Sequence, residues 1–203
     1  MKELRSLGIQ PDIIVCRSEI PLPKDQRKKI SLFCNVNIEN VIQTVDVKTI
    51  YEAPISFYKE KFDYQVLKHF NIKNKKQPNL KPWYRTKNII LNSKKEVNIS
   101  VVGKYVDLKD AYKSIDEALI HGGLANGIKV NLNKIDSEKL KISQIKNKLK
   151  NTDGILIPGG FGKRGTEGKI QCIKFARENK IPFFGICFGM QLSLIEFARN
   201  VLK

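Results

Sequence analysis

The chain has 203 residues, 41% of them hydrophobic, and a formal net charge of +17. That is enough for one domain or parts of two, with a packed core. No apolar run approaches the ~20 residues of a membrane span, and residues 1–10 hold no signal-peptide core. Cys16, Cys34, Cys172 and Cys187 show no CxxC spacing, which argues against zinc and a disulfide framework and points to a reducing cytoplasm. Residues 59–96 hold 11 Lys/Arg against 3 Asp/Glu, about half of the charge excess. No nucleic-acid motif accompanies it, so a solvated basic linker is expected and a nucleic-acid partner is not.

Residues 2–7 read as the end of a helix, with Gly8 placed to cap it. Residues 12–16 form a short buried strand, 23–32 a helix entered through proline, and 33–36 and 41–45 two further strands. Cys16 and Cys34 then lie in apolar strands. Residues 49–58 read as a helix interrupted at Pro54, and 62–70 as another. Residues 71–96, with Pro78 and Pro82, mark a linker between domains at 1–70 and 97–203. Trp83 and Tyr84 dock it on a neighbouring surface.

From Val97 the pattern becomes regular: a strand at 97–102, then a helix at 110–121 ended by Gly122 and Gly123, with His121 as its C-terminal cap. A strand at 128–132 and a helix at 137–150 follow, with Ile142, Ile145 and Leu149 on one face. Next come a strand at 153–157, a helix at 167–179, a strand at 181–185 and a helix at 188–201. This alternation defines an α/β chain of two incomplete, doubly wound parallel-sheet (Rossmann-like) domains.

The candidate site lies where the last strand meets the last helix. In Gly185-Ile186-Cys187-Phe188-Gly189 a cysteine sits between two glycines on a strand-to-helix turn, the arrangement of a nucleophile elbow. The helix behind it aims free N–H groups and its positive dipole end at the sulfur, which favours the reactive thiolate. The Phe188 N–H points where an oxyanion forms, and Gly160, in Pro158-Gly159-Gly160-Phe161-Gly162, offers a second donor. Cys172, mid-helix, reads as an inert packed thiol.

Those two motifs together resemble the class I glutamine amidotransferases. The narrower resemblance is to the CTP synthase family. It is carried by Gly8-Ile9-Gln10-Pro11-Asp12, Lys29-Ile30, Leu32-Phe33-Cys34-Asn35-Val36, Val102-Gly103-Lys104-Tyr105, Asp110-Ala111-Tyr112-Lys113-Ser114 and Phe161 through Gly168. It implies a reaction in which UTP, ATP and glutamine give CTP, with GTP as activator and CTP as inhibitor. It also implies a cytoplasmic homotetramer with no membrane partner.

The resemblance assigns Cys187 as nucleophile and Gly160, Phe188, Gly189, Met190 and Gln191 as the glutamine pocket. Lys29 matches a UTP/CTP contact, Val45, Asp46 and Val47 the ATP adenine site, and Arg164, Gly165 and Glu167 a GTP-linked lid. The phosphate loop and Mg²⁺ carboxylates of that family fall before Met1, and its catalytic His and Glu fall after Lys203. The chain is therefore expected to bind no metal or cofactor itself, Mg²⁺ accompanying ATP in the whole enzyme, and to be inactive alone. The alternatives are another class I amidotransferase, which residues 8–47 argue against, and a non-catalytic truncated product.

Overall fold

The structure, a computed structural model, describes residues 1–73, 76–108 and 110–202. The chain divides into two compact units, Met1–Leu91 and Asn92–Lys203.

The first unit is built on two parallel strands, β1 (Ile14–Ser18) and β2 (Val41–Val45), paired from Ile14 opposite Val41 to Ser18 opposite Val45. Helix α1 (Lys2–Ser6) precedes them and α2 (Lys24–Cys34) connects them. The expected strand at 33–36 is not formed. Helix α2 runs on to Cys34, and Asn35 stops it in the left-handed region at φ 52°. There the Asn35 and Val36 N–H groups donate to the carbonyls of Leu32 and Ser31, a helix-end closure that asparagine tolerates well. Cys34 is therefore a buried helix-end residue.

Pro54 sits in the first turn of α3 (Ala53–Lys59), after a 3₁₀ turn at Ile50–Glu52. Proline fits there because that turn has no N–H acceptor to lose. Helix α4 (Phe62–His69) follows. Within 71–96 the chain forms α5 (Lys81–Asn92), with the Trp83 ring 6.4 Å from Tyr51 and Lys87 bonded to Glu52 at 3.1 Å.

The second unit is a four-stranded parallel sheet in the order β4-β3-β5-β6. The strands are β3 (Glu96–Gly103), β4 (Lys129–Asp136), β5 (Gly154–Ile157) and β6 (Phe183–Gly185). Helices α6 (Lys113–Ala125), α7 (Ile142–Lys148), α8 (Thr166–Glu178) and α9 (Phe188–Phe197) alternate with them, and α9 passes into a π turn at Ala198–Leu202.

Helix α6 does not stop at Gly122 and Gly123. Gly123 is buried where the helix lies against β4, and a side chain there would collide with Val130 and lie 2.6 Å from the Ile128 carbonyl oxygen. The glycine serves close packing. The chain turns instead at Gly127, φ +68°, and His121 lies one turn inside the helix. Helix α7 is also shorter than the pattern 137–150 suggests. Ile142 opens it at 70% exposure, while Ile145 and Leu149 are buried.

One core joins the sheet to α7, α8 and α9: Val102, Ile135, Ile155 and Ile157 pack with Ile145, Ile170, Cys172, Ile173 and Leu192. Val101 and Leu156, one residue out of phase and equally buried, face the other side of the sheet. The strand order reverses between β3 and β5, the switch point at whose carboxyl edge such sheets bind ligands. The loops after β3, β5 and β6 all emerge at that edge.

Candidate active site

Strand β6 ends at Gly185, and the Ile186 N–H donates to the Ile157 carbonyl at 2.9 Å, tying the turn to the end of β5. Cys187 then takes φ 52°, ψ −110° as the residue before α9. A non-glycine residue held there stores on the order of 1–3 kcal/mol of strain, as nucleophile turns do.

The flanking glycines are demanded by contact. A Cβ on Gly185 would lie 2.6 Å from the Gly189 carbonyl carbon and the Met190 nitrogen, and one on Gly189 would overlap the Ile157 carbonyl. The chain thus folds back tightly and leaves Cys187 exposed. The N–H groups of Gly189, Met190 and Gln191 donate to the carbonyls of Ile186 and Cys187. The Phe188 N–H has no acceptor among the described residues and is free for a ligand.

The glycine loop after β5 reaches the same place. A Cβ built on Gly159 would stand 3.5 Å from that of Cys187, and Gly160 holds φ +121° beside Lys104 and Tyr105. The Phe161 ring packs on Phe188 at 5.3 Å, and the Lys104 ammonium donates to the Phe161 carbonyl. Gly189 is buried, while Met190 and Gln191 are exposed along α9.

The proposed lid residues are anchored. Arg164 pairs with Glu138 at 3.4 Å and lies over Tyr105, and Glu167 pairs with Arg199 at 3.3 Å. Gly165 turns the chain into α8 against Ser137. In the first unit Lys29 is exposed on α2 and Val45 closes β2. Asp46 is bonded to Arg17 at 2.7 Å and spends its N–H on Ser18, and Val47 is exposed.

Three residues beside the site carried no role in the sequence: Lys104, Tyr105 and Lys169. Lys169 is 1% exposed, with its ammonium 5.8 Å from the Phe188 ring centre. Burial first, and the Lys104 charge second, pull its pKa below the ordinary lysine value. The turn Gly103-Lys104-Tyr105 after β3 was the signal that could have found the first two. Of the two histidines, His69 lies 3.8 Å from Asp12 in the first unit and His121 is on α6. No cluster of His, Cys, Asp and Glu able to hold a metal, and no helix long and apolar enough to cross a membrane, occurs among the described residues. A cavity of about 1010 Å³ lies in the first unit among α3, α4 and residues 76–84 and contains none of the candidate residues.

An exposed cysteine on a strained turn at the carboxyl edge of a parallel sheet, beside a glycine loop, is the layout of a class I glutamine amidotransferase domain. Residues 107–203 match the family model described as Glutamine amidotransferase class-I. Residues 1–72 match the one described as CTP synthase N-terminus, which no other amidotransferase reading explains. The CTP synthase of Pelagibacter ubique is 71% identical over the whole chain, and that of Maridesulfovibrio salexigens is 54% identical over 202 residues. The chain belongs to the CTP synthase family, and it spans 38% and 37% of the length of those two relatives. It is also similar to a solved Trypanosoma brucei CTPS glutaminase domain with bound acivicin, 39% identical over 52% of this chain and 42% of that one, with a TM-score of 0.49.

Proposed function

We propose that this chain supplies the nucleophile half of a glutaminase site within a CTP synthase. The observation that carries the reading is the exposed Cys187 at φ 52° against Gly159. The thiolate attacks the side-chain amide carbon of glutamine, and the carbonyl oxygen takes up negative charge. The N–H groups of Phe188 and Gly160 receive that oxygen, an arrangement in which each donor is worth roughly 3 kcal/mol in comparable enzymes. Collapse expels ammonia and leaves a glutamyl thioester, which water hydrolyses. Phe188, Gly189, Met190 and Gln191 line the glutamine pocket. The base and its carboxylate partner belong to the part of the CTP synthase length that this chain does not span.

On the same reading the ammonia aminates UTP activated by ATP. Lys29 contacts UTP or inhibitory CTP through phosphate, Val45 through Val47 meet the adenine by backbone groups, and Arg164, Gly165 and Glu167 respond to GTP. The whole protein works as a homotetramer in the cytoplasm. On this reading the Mg²⁺ that accompanies ATP belongs to the whole enzyme, and no step here runs through it.

Mass spectrometry after treatment with the α-chloroketone analogue of glutamine tests the proposal. A single adduct on Cys187, slowed by free glutamine, is expected. Adducts spread over other cysteines, or no protection by glutamine, would overturn it. The chain alone makes no CTP from UTP, ATP and ammonia, and turnover above blank would contradict that.

A further inference from the structure

We propose that Tyr112 is a positioning residue for the glutamine site, its phenolic oxygen setting the turn that holds the Gly160 loop in place. The inference rests on the glutaminase reading of Cys187 and deepens it.

Strand β3 ends at Gly103, and the chain leaves the sheet through Lys104 and Tyr105. Tyr112, the residue before α6, returns beneath that exit at 4% exposure. Its hydroxyl oxygen accepts the N–H groups of both Lys104 and Tyr105, each at 3.2 Å. A side chain at position 103 would overlap the same hydroxyl, so Gly103 is the vacancy that lets Tyr112 in. One neutral oxygen thus satisfies two consecutive backbone donors just past the end of the central strand, where no neighbouring strand can accept them.

The turn set in this way carries two of the side chains that touch the glycine loop. The Lys104 ammonium donates to the Phe161 carbonyl, and the Lys104 Cε and the Tyr105 ring lie 3.3 and 3.6 Å from where a Gly160 Cβ would be. The Lys104 ammonium also sits 5.1 Å from the Tyr105 ring centre. Gly160, at φ +121°, has no side chain to fix its own peptide planes. Its N–H direction is decided by what grips the loop, and one grip runs from Tyr112 through Lys104 and Tyr105, beside the Thr166 hydroxyl on the Gly162 carbonyl and the Phe161–Phe188 ring contact. The elbow itself is held separately, through the Ile186 bond to Ile157. Tyr112 therefore governs where the amide carbonyl of glutamine is received and not how exposed the sulfur is.

Two alkylation rates on the whole chain separate these roles. Iodoacetamide reports sulfur access. The chloroketone analogue of glutamine needs the carbonyl held as well before the thiolate displaces chloride, forming C–S and breaking C–Cl. Tyr112→Phe keeps the ring and removes the acceptor. The expected result is a chloroketone rate lowered about tenfold, as loop misplacement by a fraction of an ångström predicts, with the iodoacetamide rate within about twofold. Lys104→Met, which cuts the next link, lowers the same ratio, and the double variant adds little because the two lie on one path. An unchanged ratio in Tyr112→Phe, or both rates shifting together as in a merely loosened fold, overturns the proposal. If the unaltered chain shows no preference for the chloroketone that glutamine can block, the glutaminase reading itself fails.

Discussion

Gly185→Ala is the sharpest probe of how the elbow is built. Gly185 ends β6 with ordinary strand dihedrals, so alanine brings no backbone strain of its own. Its Cβ, however, would lie 2.6 Å from the Gly189 carbonyl carbon and the Met190 nitrogen, and 2.7 Å from the Gly189 oxygen. Ordinary contact is about 3.5 Å, so the first turn of α9 must retreat by roughly 0.9 Å. The colliding atoms are backbone, so no rotamer change relieves them. Overpacking of this kind costs about 1–3 kcal/mol, a loss of about 4–12 °C in the Tm of a unit this size. The same retreat shifts the Phe188 N–H away from the glycine loop, and displacement near 1 Å lowers reaction rates about 100-fold. Differential scanning fluorimetry and the rate of Cys187 alkylation by the glutamine chloroketone read both effects. A variant melting within about 1 °C of the unaltered chain, and alkylated at its rate, would refute the close approach of Gly185 to the Gly189 and Met190 backbone.

Two further outcomes are expected. The adjacent glycines of α6 should respond with opposite sign. Gly122→Ala, with nothing within 4 Å of its Cβ, gains about 1 kcal/mol of helix propensity, whereas Gly123→Ala, 2.6 Å from the Ile128 carbonyl, loses about 1–3 kcal/mol. Equal shifts in thermal melts would contradict the buried seat of Gly123. Burial pushes the Cys172 thiol up to about 12 from 9.0, so between those values the unfolded chain has released a proton that the folded chain retains. Stability then falls as pH rises through that window, by up to about 1.4 kcal/mol per pH unit. Cys172→Ala flattens that slope in urea unfolding series, and an identical slope in both proteins would refute the burial argument.

What local chemistry encodes was readable in the residues. The strand at 41–45, the helix beginning at Phe62 and the alternation beyond Val97 follow from apolar periodicity. The cysteine turn follows from glycine spacing, because only glycine fits where backbone meets backbone. Short apolar runs misled: residues 33–36 read as a strand, yet the left-handed Asn35 makes Cys34 the end of a helix. Gly122 and Gly123 read as a stop, yet β4 turns the second into a packing site. Ile142 fitted the helical pattern of Ile145 and Leu149 but faces water. None of the contacts that place Lys104, Tyr105 and Tyr112 around Gly160 could be seen in order along the chain, since Lys104 and Phe161 are 57 positions apart. The glycine-flanked turn that carries Cys187 was legible in the residues alone, because it is a matter of neighbouring dihedrals. The contacts on the loop opposite it emerge from the fold, because they depend on which strands of the parallel sheet end side by side.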